Sequence, residues 1–595
     1  MKKILAALLC ALMILGVAAS CGAPAGPAVT KQSINVCLAS EPDTLDPALN
    51  SAVDGATMLT HLFAGLAKWA QDENGKLVIV ADLAKELPAG VTNDDGTVTY
   101  TYTLRDGLKW SNGDALTAGD FEKSWKRAAS AELAADYGYM FEVVKGYGTD
   151  NKEDLAVKAL DDKTLEVTIN NPVAYWNELL AFPTYYPVHS SAFGNEKWAT
   201  DPATYICNGP YTMKSWDHDS KIVLEKNTNF YAADKVTMDT INCFLSDDAN
   251  NMLVNFKNGE WLLIDDIPTN EIANLKKDEQ YKNEFVIAGQ IGTYYVCWNV
   301  NEKILPSTST LTGVEAEKAQ QEIRNAIGLL FDRNHIVNNI AQGGQVPASA
   351  FVAMGMTDAD GTEFYKNAHS KDDAFDGYYD VSEGAFKSNV DSAIEVLKKY
   401  YTYADGKFSG VPSFEYLYNE SDAHKAIGEY LAAALGEKGI TMTLTSQEWN
   451  TFLNTRKQGD YTIARNGWVA DYNDPICFLD MWTSISGNND VQFGKGAHKD
   501  LKMYNLDLTS VGYDVKVENG TWAETYDVLI SKIKAETDNA KRFAMMHIAE
   551  DMLMETGCIV PLYFYTDLYM IDSSVNGFYS NPLGYKYFMY TTVTK

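Results

Sequence analysis

The sequence lacks the signatures of a catalyst. None of its eight histidines has another four residues along, which excludes a His-Glu-x-x-His zinc helix. No Gly-x-Ser-x-Gly elbow is present. Nor is there a P-loop, because Gly75-Lys76, Gly406-Lys407 and Gly494-Lys495 run into Leu77, Phe408 and Gly496. No metal or cofactor is expected. Positive charge is scarce, with 49 Lys and Arg against 80 Asp and Glu and a net charge of -31. That excludes nucleic acid as a partner, since its affinity comes largely from neutralised phosphates, and it excludes an electrostatic hold on anionic lipid. The eight cysteines include no Cys-x-x-Cys pair. The apolar run Ile4–Val17 has fourteen residues, too few to span a bilayer that needs about 20.

That run follows Lys2 and Lys3 and leads through Ala18-Ala19-Ser20 to Cys21, the layout of an export signal. It resembles a bacterial lipoprotein signal, which implies cleavage and lipidation at Cys21; ordinary secretion is the other reading. Gly22–Lys31 reads as a flexible tether. Cys37, Cys207, Cys243, Cys297, Cys477 and Cys558 remain in the body. They read as small buried hydrophobes, although a disulfide outside the cytoplasm is open to them. A chain of 595 residues that is 46% hydrophobic and 22% charged is globular and too long for one core, so two or three domains are expected.

Local patterns give an α/β class. Thr97–Leu104 and Leu165–Ile169 alternate as half-buried strands. Thr117 with Asp120 forms a capping box ahead of Phe121 and Trp125, which share a helix face. From 411 to 468 the chain reads strand, helix, strand, helix, strand, with Gly439 ending the first helix; such an order implies parallel strands. Next comes Arg465-Asn-Gly-Trp-Val-Ala-Asp-Tyr-Asn-Asp-Pro475, which puts Trp468 and Asp471 where a strand gives way to a turn. Ligands of α/β proteins bind there. Taken alone, Trp468 reads as core and Asp471 as a turn residue.

This segment resembles the corresponding one of oligopeptide-binding proteins, the extracytoplasmic receptors of ABC peptide importers. So, in the same order, do Glu41–Pro47, Leu104–Trp125, Asn208–Tyr211, Arg324–Arg333, Leu417–Lys425 and Ser446–Gly459. The resemblance implies a two-lobed periplasmic-binding-protein-like fold with a hinge, three domains and mixed sheets flanked by helices. Domain I would take 32–64, 187–288 and 556–595, domain II 65–186 and domain III 289–555. Residues 496–525 fit the family pattern poorly and read as a surface insertion.

The resemblance also implies a site. Asp471 would hold the peptide ammonium, and His424, Arg456 and Arg465 the carboxylate at different depths. Backbone near Ala52 and Val53 and along Gly467, Trp468 and Val469 would pair with the peptide. Tyr139 (or Tyr137), Tyr294 and Tyr295 would line the pocket, although large aromatics more often belong to cores. Without the resemblance, His424 and Arg456 read as solvent-facing helix residues. The implied protein is a monomeric, non-enzymatic, lipid-anchored receptor that delivers peptides to an ABC permease and ATPase. Alternatives are a same-fold receptor for dipeptides, cell-wall or signalling peptides or nickel chelates, and a secreted hydrolase.

Overall fold

The computed structural model describes residues 32–38, 41–149, 151–195, 197–368 and 375–594. Cys21 and the Gly22–Lys31 tether lie outside them. No helix among the described residues is long and apolar enough to cross a membrane.

One sheet of eleven strands runs through the molecule. Its main strands are β1 (Ser33–Cys37), β2 (Tyr211–Asp217), β3 (Lys221–Lys226), β4 (Thr240–Phe244), β5 (Leu263–Ile264), β6 (Phe285–Trp298), β7 (Phe414–Asn419), β8 (Met442–Gln447), β9 (Ile463–Val469) and β10 (Ile559–Ile571). Their spatial order is β8-β7-β9-β6-β10-β5-β1-β4-β3-β2. The first lobe is built on β1 to β5 and the second on β7 to β9. The long strands β6 and β10 pair with each other and carry the sheet between the lobes. Their register breaks between Gly289 and Thr293, a local irregularity of the kind that bends a strand.

The alternations seen in the sequence become elements with one wet face. In the strand Thr164–Ile169, Leu165, Val167 and Ile169 are buried and the residues between them are half-exposed. It belongs to a separate four-stranded sheet. The helix Ala118–Ala128 begins with the Thr117–Asp120 capping box. It buries Phe121 and Trp125, each contributing about 1.5–3 kcal/mol by leaving water. In the second lobe β7 is parallel to both β8 and β9. The crossovers are α1 (Asp422–Glu437), which follows β7, and α2 (Trp449–Gln458), which follows β8. Gly439, in the left-handed region at φ 80°, follows the end of α1.

Residues 496–525 hold a two-stranded hairpin, Tyr504–Asp507 with Lys516–Gly520. It is pinned by Trp522, stacked on Phe493 at 4.3 Å. The six body cysteines are all buried.

Candidate binding site

Strand β9 positions the site. Its ladder with β6 runs its whole length, pairing Gly467 with Tyr294 and Val469 with Gly292. Its ladder with β7 covers only Ile463 and Ala464. Arg465 to Val469 therefore keep one strand edge outside any ladder. That edge borders a cavity of about 340 Å3 between the lobes. Ala52 and Val53 face it from the first lobe, with Tyr137 and Phe182. From the second lobe come Trp449, Arg456, Arg465, Gly467, Trp468, Val469 and Asp471, and Tyr565 and Tyr585 come from the C-terminal segment.

Asp471 sits just past the end of β9 and is 7% exposed. The Tyr137 hydroxyl, from the opposite lobe, donates to its Oδ1 at 2.9 Å. Its Oδ2 is buried and has no hydrogen-bond partner. Burial pushes the Asp471 carboxyl well above the usual carboxylate range; the Tyr137 hydrogen bond opposes this and nearby Asp480 adds to it. A buried carboxylate oxygen without a donor is costly, and a cation entering the cavity would supply what it lacks. Trp468 is fixed behind it, its Nε1 donating to the Cys477 carbonyl at 2.9 Å.

The expected carboxylate receptors fare unequally. Arg465 lies over the rings of Tyr294 (5.5 Å) and Trp449 (5.9 Å) and is in no ion pair among the described residues. Arg456 lines the cavity but its Nε is 2.7 Å from Asp490 Oδ2, a close ion pair whose N–H is not aligned for a hydrogen bond. His424 is outside the cavity wall, with Nδ1 3.2 Å from the Tyr294 hydroxyl. Burial first, and Arg465 second, push its imidazole well below the usual range. The empty site thus disfavours charge on His424, which stands beside the Tyr294 ring rather than in the cavity wall. Two further cations line the cavity and are already paired. Lys457 reaches Asp136 at 2.5 Å, and Lys586 lies 2.8 Å from Asp265 and 2.9 Å from Asp567.

Of the tyrosines expected in the pocket, Tyr137, the alternative to Tyr139, is in its wall, whereas Tyr139, Tyr294 and Tyr295 are not. Tyr139 is buried behind Tyr137, with the Lys534 ammonium over its ring. Tyr294 is stacked on Tyr563 at 4.7 Å. Tyr295 points the opposite way along β6 and packs against Phe351 and Trp482. In each case the apolar ring has been drawn into the core. Sequence reasoning missed Phe182, Asp490, Tyr565 and Tyr585. Tyr565 carried a weak signal, because Gly467 leaves open the volume its ring fills: a Cβ there would stand 2.1 Å from the Tyr565 hydroxyl.

Contacts across the cleft are numerous. Lys457 bonds Ser51 at 2.9 Å in addition to Asp136, Glu178 accepts from the Asn473 N–H at 2.6 Å, and Tyr175 stacks on Tyr472 at 4.6 Å. Lys534 joins Glu142 and Asp480.

Known proteins match this architecture. Residues 78–490 match the family model described as bacterial extracellular solute-binding proteins, family 5 middle. The oligopeptide-binding protein OppA of Bacillus subtilis is 32% identical over 573 residues, 94% of this chain and 92% of the relative. Among solved structures, OppA of Burkholderia pseudomallei is 25% identical with a TM-score of 0.76, covering 95% of this chain and all of the other. The Escherichia coli murein tripeptide binding protein MppA, 23% identical, gives 0.77 over 95% of this chain and 99% of its own. Its unliganded open form, with the same identity and coverage, gives only 0.57. The lobes here are thus set closer to the former arrangement than to the open one. The matched region spans well over half of the chain, and the chain belongs to family 5 of the bacterial extracellular solute-binding proteins.

Proposed function

We propose that this chain captures peptides by their charged ends between its lobes and delivers them to an ABC importer. One observation carries the reading: the buried Asp471 carboxylate keeps an oxygen without a donor at a cavity bordered by a strand edge outside any ladder. A peptide ammonium completes the carboxylate. The peptide's own N–H and C=O groups take up the edge of β9 with Ala52 and Val53 opposite, which provides affinity without reading sequence. Arg465 receives the carboxylate. A ligand without an ammonium would leave Asp471 as costly as before. The names of the Bacillus and Burkholderia relatives, both oligopeptide-binding or OppA proteins, support this reading.

The protein is a receptor and not a hydrolase, works as a monomer outside the cytoplasm, and is held to the membrane by lipid on Cys21. The domain division 32–64, 187–288 and 556–595; 65–186; and 289–555 puts its boundaries inside β6 and just ahead of β10, where closure would pivot.

The test is incubation with a peptide pool followed by mass spectrometry of what the protein retains. A receptor returns bound peptides intact, whereas a hydrolase returns fragments. Bound peptide should also stabilise the protein by about 2.7 kcal/mol at a hundredfold excess over Kd. Stabilisation by a sugar and by no peptide would overturn the assignment. Cys21→Ala should release the protein from cell membranes, and equal retention of both forms would remove the anchor.

A further inference from the structure

The lobes also meet outside the cavity, at Lys534. This residue is in the last turn of the helix Val528–Ala535. Its ammonium lies 3.0 Å from Asp480 Oδ2, in the same lobe, and 2.8 Å from Glu142 Oε2, in the first lobe. Its carbonyl is one of the four that a helix end leaves without a partner in the helix, and it accepts from Asn171 Nδ2 of the first lobe at 2.8 Å. The first lobe thus grips one residue of the second by both side chain and backbone. Glu142, Asn171, Asp480 and Lys534 are all outside the cavity wall.

A buried charge that loses its partner is heavily penalised, so a joint that must part needs each half to be tolerable alone. Both halves meet that condition here. Lys534 keeps Asp480 when the lobes separate, and the side chains of that pair are only 8% and 3% exposed. Glu142 is already 31% exposed and regains water. A ligand held between lobes leaves only after they open, and opening often limits release. A contact made in the closed form, away from the ligand, favours that form whatever is bound. We propose that Glu142 and Asn171, closing on Lys534, form a latch that slows the release of every peptide by one common factor. This rests on the peptide reading above.

The test is stopped-flow release of fluorescent peptides chased by unlabelled ones, using three peptides of unrelated sequence and an N-acetylated form of one. Glu142→Gln is the variant, because Asp480 also bears on the Asp471 carboxyl. It keeps the shape of the side chain and leaves the Lys534–Asp480 pair in place. Release should be at least fivefold faster for all four ligands, by factors that agree within twofold. Association should be no slower, whereas a damaged fold would slow it. Asn171→Ala should act in the same sense, at least twofold, and decides if Glu142→Gln does not fold. Unchanged release in the folded variants, or factors that differ widely from peptide to peptide, would overturn the latch and leave the peptide reading intact. Binding of no peptide by the natural protein would overturn both.

Discussion

The hydroxyl of Tyr137 donates to Asp471 Oδ1 at 2.9 Å, joining the two lobes at a carboxylate whose second oxygen has no partner. The bond spans 334 residues of sequence and exists only when the lobes are together. Closure thus orients the carboxylate and removes its water in one movement, leaving Oδ2 for a ligand. A ligand cation would satisfy a charge already desolvated by the protein's own closure.

Asp471→Asn keeps the shape and removes the charge. Truncating one member of a buried ion pair costs about 2–5 kcal/mol, or roughly 30- to 5000-fold in Kd, and the variant should lose most of that for a free peptide. N-acetylation of the peptide should cost the natural protein a similar amount. The two changes together should fall far short of the sum. Additive losses, measured by calorimetry on one peptide and its acetylated form, would place the ammonium elsewhere.

Burial raises the Asp471 pKa in the empty, closed protein, so that state is favoured as pH falls and disfavoured as pH rises through the raised value. Bound ammonium holds the group ionised, so binding expels a proton wherever the empty site carries one. Peptide affinity should be complete above the raised value and should fall below it, by up to about tenfold per pH unit. Affinities measured from neutral to acidic pH should show this slope in the natural protein and not in Asp471→Asn. The same slope in both would assign the proton to another group.

A second pH effect lies at His61, behind the first-lobe wall of the cavity. His61 receives the Phe588 N–H at Nε2 (3.0 Å), so Nδ1 carries the proton and donates to the Thr57 carbonyl at 2.8 Å. Burial pushes its pKa from 6.5 down to about 4. The folded state thus disfavours a charged His61, and its stabilising share is present above pH 6.5 and lost as pH falls toward 4. The loss amounts to about 3 kcal/mol when complete. Denaturant unfolding across that range should show a shallower acid limb for His61→Gln than for the natural chain; equal slopes would exonerate His61.

The parts of this protein legible in its sequence are those set by neighbours in the chain. The 411–468 alternation of strands and helices, the Thr117–Asp120 box and the place of Asp471 past a strand end each depend on a few adjacent residues. Residues set by distant partners were not legible. Arg456 reads as a free cation until folding brings Asp490 to it. His424 reads as a cation of the cleft until folding sets it against the Tyr294 hydroxyl, outside the cavity wall. Tyr137 and Tyr139 are near twins in sequence, and only the approach of the second lobe decides that Tyr137 meets Asp471. Tyr294 and Tyr295 pair across the sheet with Gly467 and Asn466, but their ring area is worth more in the core.

Gly467 and Tyr565 tie the cavity floor to the strands that join the lobes. A Cβ at Gly467 would stand 2.1 Å from the Tyr565 hydroxyl and 3.1 Å from the ring carbon bearing it. Tyr565 is on β10 and Gly467 on β9, so Gly467→Ala must displace the ring or spread the strands. Overpacking of this kind costs about 1–3 kcal/mol, and the displaced ring would enter the cavity, so peptide affinity should fall together with melting temperature. Tyr565→Phe removes the oxygen at 2.1 Å and leaves the carbon at 3.1 Å, a contact that a small shift relieves. Gly467→Ala with Tyr565→Phe should therefore recover most of the loss of Gly467→Ala alone, with a coupling of about 1 kcal/mol or more. Simple additivity of the two changes would mean that the Tyr565 hydroxyl is not what reserves the space at Gly467.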